Sequence, residues 1–257
     1  MVAVGDLHGN HDKLVRLLTA ADLIDRARHW SGGDDHLVVA GDFLDRGVDE
    51  RPLMDLLRRL ETESIAAGGR VHVLLGNHEV MNLFRDLRYV NPQSYRHFEP
   101  DERRAERRAA AWKFTRLRGG NWRAATFREF NQRFPPGYFG RLASLDPDGE
   151  YGSWLMELPA MVKINGVAYV HGGLNEEFAA LGVDGINRRI TDQLRRHLEA
   201  REVLEDAGVV SPVLATLEVL GAAEEIVESR RGGHGAARRR LAAEQLLAEA
   251  ADPILGR

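Results

Sequence analysis

His36-Leu37-Val38-Val39-Ala40-Gly41-Asp42-Phe43-Leu44-Asp45-Arg46-Gly47 couples an apolar, β-branched run to a glycine-flanked turn that carries two carboxylates and an arginine. The pattern recurs on both sides of it. Val2 to Val4 runs into Gly5-Asp6-Leu7-His8-Gly9-Asn10, Val71 to Leu75 into Gly76-Asn77-His78-Glu79, and Val167 to Val170 into His171-Gly172-Gly173. In an open α/β sheet, ligands sit beyond the carboxyl ends of the strands, so four such turns predict one crevice rich in metal-ligating side chains. Between the turns, Asn10 opens a helical rhythm of Leu14, Leu17, Leu18 and Ala21, and Asp49 opens another of Leu53, Leu56, Leu57 and Leu60. The steps from Asp6 to Asp42 and from Asp42 to Asn77 are about 35 residues, the length of one strand, one helix and two loops. Parallel strand pairing follows.

Composition narrows the classes further. With 257 residues, 44% of them hydrophobic, the chain can bury a sizeable core, and a single catalytic domain over residues 1–257 is expected. A net charge of −4 gives no global attraction to nucleic acid or to an anionic membrane. The absence of cysteine excludes a disulfide framework, a thiol nucleophile and a Cys-based zinc site. No apolar run approaches the ~20 residues of a membrane span, and no signal peptide opens the chain. Only Met1 to Val4 precede Gly5, against a typical strand of ~5 to 6 residues, which suggests an amino terminus trimmed inside its first strand with any targeting segment upstream. A monomer in the cytoplasm is the default expectation.

Residues 84–147 are dense in Arg and aromatics: Trp112, Phe114, Trp122, Phe127, Phe130, Phe134, Tyr138 and Phe139, with Pro135-Pro136-Gly137 among them. Interleaved acids and a helical rhythm favour core contacts over a nucleic-acid surface, and a helical insertion beside the crevice is expected. Tyr151 to Leu174 returns to strand-like material ending in His171. Residues 184–257 read as helical, through Ile186 to Ile190, Val213 to Val227 and an Ala, Leu and Glu-rich segment to Ala251, with Arg238-Arg239-Arg240 as a solvated helix face.

Two hard divalent ions a few ångströms apart need a bridging carboxylate with oxygen and imidazole ligands on each side. Asp42, on the middle motif, is the natural bridge. Asp6 and His8 complete one set, Asn77 and His171 the other. Such a pair acidifies a bound water and clamps the attacking and leaving oxygens of an in-line displacement, which suits phosphate ester hydrolysis. Arg46 adds a planar cation for bidentate phosphate binding. His78 is placed to protonate a leaving alkoxide, with Asp45 holding its imidazole. Singly, each of these residues is more often a cap, an Asx turn or a surface ion pair. Four strand-end motifs with complementary ligand types are hard to obtain that way. His36, His72, His197, His29 and His97 lack this context and read as structural or exposed, and His11 reads as a helix start.

Gly-Asp-Leu-His-Gly, Gly-Asp-Phe-Leu-Asp-Arg-Gly, Gly-Asn-His-Glu and His-Gly-Gly, in this order, resemble the calcineurin-like metallophosphoesterases, and specifically the phosphoprotein phosphatase branch. Gly76 to Asn82, Arg88-Tyr89-Val90, Val170 to Leu174 and Ile186-Asn187-Arg188 are similar to the Shewanella-like protein phosphatases within it. The resemblance covers residues 3–190 and is weak beyond. It implies an α/β fold with a β-sandwich core flanked by helices, rather than the doubly wound sheet the repeats alone suggest. It also implies Asp6, His8 and Asp42 on one ion, Asp42, Asn77 and His171 on the other, an acid pair of His78 and Asp45, and a phosphate contact from Arg46.

The family supplies a further histidine from a Gly-His-Thr strand end downstream of His-Gly-Gly. Here only His197 and His234 follow His171, and His234 has no apolar strand before it. The ending Asp252-Pro253-Ile254-Leu255-Gly256-Arg257 resembles a family segment whose arginine contacts phosphate, so a carboxyl-terminal truncation and a substrate-binding Arg257 are expected. The function expected is phosphomonoester hydrolysis on phosphoprotein or phosphopeptide substrates, by direct in-line attack of hydroxide held between two divalent ions, manganese first with iron or zinc as alternatives. Rival expectations are symmetrical dinucleoside tetraphosphate hydrolysis and a degenerate phosphate-binding module without turnover.

Overall fold

The structure is a computed structural model that describes residues 1–117, 124–210, 216–229 and 235–251. In chain order its elements are β1 (Val2–Val4), α1 (His11–Ala20), β2 (His36–Val39), α2 (Glu50–Ala66), β3 (Arg70–Val73), α3 (Asn77–Leu83), a 3₁₀ helix (Ser94–Asp101), α4 (Arg104–Leu117), α5 (Ala124–Arg133), α6 (Tyr138–Ser144), α7 (Gly152–Glu157), β4 (Met161–Ile164), β5 (Val167–Val170), α8 (Glu176–Asp206), α9 (Thr216–Glu228) and α10 (Ala236–Ala251). They form two compact units, one of Met1–Val73 with Tyr89–Glu157, the other of Leu74–Arg88 with Leu158–Arg257.

The first unit is built on a parallel sheet in the order β1-β2-β3, with Val2 opposite Leu37 and His36 opposite Arg70. β2 is the central strand, and Leu37, Val38 and Val39 are wholly buried, as both faces of a parallel strand require. Each such side chain contributes roughly 1.5–3 kcal/mol. Asn10 caps α1, its side-chain oxygen accepting the Lys13 N–H at 3.0 Å. Leu14 and Leu18 are buried while Leu17 stays exposed. Asp49 makes no side-chain cap on α2. Its Oδ1 instead accepts from His97 Nε2 at 3.0 Å and from Arg96 at 3.1 Å. His36 and His72 stack across β2 and β3, Nδ1 to Nε2 at 3.0 Å.

The aromatic stretch behaves as a core. Phe114, Phe130, Phe134, Tyr138 and Phe139 pack ring on ring with centroids 5.1 to 6.4 Å apart. Arg107 lies over the Phe130 ring and donates to the Phe134 carbonyl at 2.9 Å. Trp112 and Phe127 are exposed, and Trp122 lies outside the described residues.

The second unit holds α3, the antiparallel β4–β5 hairpin and the described parts of the carboxyl-terminal helices. Asn165 and Gly166, both at positive φ, form the two-residue hairpin turn. The last helices begin earlier than the periodicity predicts. Asn175 caps α8 by accepting the Phe178 N–H at 2.8 Å, and a break at Gly182 conceals that first turn in the sequence. Ala200, Leu204, Val219, Ala223, Ala243 and Leu246 join α8, α9 and α10 in one apolar cluster. The strands thus fall into two sheets, not one doubly wound sheet. Among the described residues, no helix is long and apolar enough to cross a membrane.

Candidate metal and phosphate site

In the first unit, the turns after β1 and β2 are locked together. His8 N–H donates to the Asp42 carbonyl at 2.9 Å and Gly9 N–H to that of Phe43 at 2.8 Å, while Asp49 N–H donates back to Gly9 at 3.1 Å. A Cβ on Gly47 would lie 2.1 Å from the His8 carbonyl oxygen, so only glycine admits this approach. The backbone is left-handed at Asp6, His8, Asp42, Asp45 and Arg46. Asp tolerates this region, but His and Arg do so at a cost of about 1–3 kcal/mol each, and such strain gathers at functional sites.

The strain aims side chains. A carboxylate oxygen of Asp6 lies within 4.8 Å of one of Asp42, and His8 Nε2 lies 4.0 Å from Asp42 Oδ2. His8 Nδ1 is 3.0 Å from the Leu44 carbonyl. A carbonyl only accepts, so Nδ1 is the donor there, and in the neutral imidazole that leaves the Nε2 lone pair on the Asp42 side, the tautomer a metal ligand needs. Arg46, exposed on the same turn, is anchored through its backbone. Its N–H donates to the Tyr89 carbonyl at 2.8 Å, its own carbonyl accepts from Asn91 at 2.9 Å, and its guanidinium lies 5.9 Å from the Tyr89 ring centroid.

Beneath the turn runs a buried ionic network that the sequence reading missed. Glu50 Oε1 accepts the Asp45 N–H at 2.8 Å, and Glu50 Oε2 accepts from Arg141 Nε at 2.9 Å. Arg141 Nη2 stands 4.0 Å from Asp45 Oδ1. All three side chains are essentially without solvent contact. Burial pulls the Arg141 pKa down, but Glu50 first, then Tyr95 and Asp45, outweigh it and hold the guanidinium charged. Burial pushes the Tyr95 phenol well above its ordinary range. The available signal was a lone arginine inside the apolar α6.

In the second unit, α3 begins at Asn77 itself. Glu79 reaches back to accept the Gly76 N–H at 2.8 Å, and buried Asn82 donates to the His78 carbonyl at 2.9 Å. His171 follows β5, and its Nε2 lies 3.1 Å from Asn77 Oδ1. Neighbouring ligands of an octahedral ion at ~2.1 Å are separated by ~3 Å, so this pair has the spacing of two ligands on one cation. Asn187 holds the hairpin that carries His171. Its Oδ1 accepts the N–H groups of Ala160 and Met161 at 3.0 Å, and its Nδ2 donates to the Met161 carbonyl at 2.9 Å.

The description "Calcineurin-like phosphoesterase" belongs to the family model that matches residues 1–207, through both units. The chain belongs to the calcineurin-like phosphoesterase family. Among its relatives in this family, Shewanella-like protein phosphatase 2 of Arabidopsis thaliana is 32% identical over 199 residues, 74% of this chain and 50% of the relative. Shewanella-like protein phosphatase 1 of Plasmodium berghei (strain Anka) is 29% identical over 197 residues, 77% of this chain and 45% of the relative. The chain therefore spans about half the length of these curated relatives. Among solved structures, the cold-active protein-tyrosine phosphatase of a psychrophile Shewanella sp. is 30% identical with a TM-score of 0.54, covering 75% of this chain and 48% of that one. The fold is thus the mixed α/β fold of the calcineurin-like phosphoesterases.

For this phosphoesterase-family chain, the candidate ligands come from both units. Asp6, His8 and Asp42 gather in the first, Asn77 and His171 in the second. His29, read from the sequence as structural or exposed, is exposed and pairs with Glu63, and His11 opens α1 as its position suggested. His234 and Arg257 lie outside the described residues.

Proposed function

We propose that the chain carries the catalytic machinery of a metal-dependent phosphomonoester hydrolase acting on phosphoproteins. The observation that supports it most is the strained pair of turns at residues 5–10 and 41–47. Left-handed backbone there costs stability, yet it presents Asp6, Asp42 and a His8 lone pair to one another. In this reading Asp6, His8 and Asp42 hold one divalent ion, and Asp42, Asn77 and His171 the other. When bound, such a pair supplies Lewis acidity and brings the pKa of a water toward neutrality. Manganese is the first choice of metal for this donor set of oxygen and imidazole, with iron and zinc next.

The chain's own groups do the rest. Arg46 binds phosphoryl oxygens with its two-pronged guanidinium and orients the ester. His78 gives a proton to the leaving alkoxide, and Asp45 orients the imidazole and stabilises its charged form.

Phosphate release from phosphoserine, phosphothreonine and phosphotyrosine peptides, with Mn²⁺ titrated, tests this reading. The solved neighbour described as a protein-tyrosine phosphatase makes the phosphotyrosine peptide the first to try. Asp42→Asn is expected to lose metal binding and turnover together. His78→Asn is expected to keep metal while turnover falls about 10²- to 10⁴-fold. Near-normal activity in Asp42→Asn would sink the two-metal reading. Turnover confined to a symmetrical dinucleoside tetraphosphate would replace the phosphoprotein as substrate.

A further inference from the structure

The second unit contains a cavity of about 670 Å³. One face of α8 forms its long wall through Ile186, Ile190 and His197, with Val80 from α3, Phe84 just after it and Leu220 from α9 lining the same space. Ile186 and His197 are eleven residues apart, roughly 16 Å along a helix, so the space is elongated. At one end it reaches Asn77 and His171, and toward the other it reaches His197, Thr216 and Glu249.

His197 is the anomaly. Its side chain is 97% buried, since only 3% of its surface remains accessible. Neither ring nitrogen has a hydrogen-bond partner among the described residues. Such orphaned groups are rare in folded proteins and call for a reason. The Phe84 ring stacks on the imidazole at 3.7 Å between centroids and fixes its orientation. Burial, helped by the Arg201 charge, holds the imidazole neutral at physiological pH. It therefore offers one N–H donor and one lone pair. The charged side chains of the cavity wall are already engaged. Asp86 binds Arg88 at 2.7 Å, and Glu249 binds Arg196 at 2.7 Å.

We propose that this cavity is a binding site for an elongated, electrically neutral, largely apolar small molecule whose carbonyl or hydroxyl group is received by His197. A free anion would meet a neutral imidazole, two carboxylates and the Arg88 guanidinium, which Asp86 already engages, and a free cation would find both carboxylates taken. An apolar body with one hydrogen-bonding group matches the lining, as in most small-molecule pockets of ~300–1,000 Å³. The cavity runs up to Asn77 and His171, the proposed metal ligands, but the assignment needs neither metal nor turnover, so a test without metal separates it from the proposed hydrolase activity.

The probe is 6-propionyl-2-(dimethylamino)naphthalene, a neutral ketone whose emission moves to the blue in apolar surroundings, titrated into the full chain without metal. A saturable blue shift at one probe per chain is expected. His197→Phe keeps the stack on Phe84 but removes both nitrogens, and is expected to weaken binding about tenfold. Ile190→Trp fills the cavity and is expected to abolish it. Circular dichroism confirms that each variant is folded, and Leu220→Trp closes the space from the opposite wall should Ile190→Trp not fold. No saturable shift in the wild-type chain, or undiminished affinity in either folded variant class, overturns the proposal.

Discussion

Asp45 and Arg46 sit side by side in left-handed backbone, and the energy to hold them there comes from beneath the turn. Glu50 accepts the Asp45 N–H and in turn binds Arg141, a guanidinium 1% exposed. Removing one partner of a buried ion pair leaves the other charge uncompensated, which costs about 3–5 kcal/mol. Glu50→Gln keeps the shape but removes the charge. Urea unfolding is expected to show a loss of about 3 kcal/mol, toward the low end because the amide still accepts the Asp45 N–H. Adding Arg141→Met to the same chain strips the buried Asp45 carboxylate of its guanidinium neighbour and is expected to deepen the loss. An unchanged midpoint in Glu50→Gln would show that the turn is held by its backbone contacts alone.

At the scale of elements, α8 does several jobs along one helix. Past the break at Gly182, Asn187 fixes Ala160 and Met161 at the start of β4, and thereby the hairpin that leads to His171. Further along, His197 stacks on Phe84, and Arg201 donates to the Phe84 carbonyl at 2.9 Å. Burial, and then the Arg201 charge, lower the His197 pKa from 6.5 to about 4. The sign of the linkage follows from proton uptake. Below pH 6.5 the unfolded chain binds a proton that the folded chain refuses until pH 4 is approached. Stability from this residue is complete above pH 6.5 and drains away as pH falls toward 4, by roughly 3 kcal/mol at 1.36 kcal/mol per unit. Thermal melts between pH 7 and 4 are expected to fall more steeply for the wild-type chain than for His197→Phe. Parallel slopes would mean that the imidazole accepts its proton in the folded state.

For the molecule as a whole, metal binding and stability are one equilibrium. The calcineurin-like phosphoesterase family implies divalent ions, and five candidate ligands come from two units that are each compact in themselves. A ligand that binds only the folded chain stabilises it, by about 2.7 kcal/mol at a hundred times its dissociation constant. Mn²⁺ is therefore expected to raise the melting temperature in a concentration-dependent way, and Asp42→Asn is expected to flatten that dependence. An equal rise in both chains would place the stabilising ion elsewhere.

The local features were legible without coordinates. Strand runs ending in Gly-Asp and Gly-Asn turns, the parallel pairing of the first strands, the Asn10 cap and the aromatic core of α4 to α6 all follow from periodicity and turn chemistry over a few neighbouring residues. The candidate ligands stood out for the same reason, since each lies in its own short motif. Distant pairings were not. Glu50 meets Arg141 across 91 positions, Asn187 meets Met161 across 26, and His197 is covered by the ring of the distant Phe84. Residue identity settles what a side chain is able to do, whereas burial and partnership depend on which remote segments the folded backbone brings against it, and no local pattern encodes that.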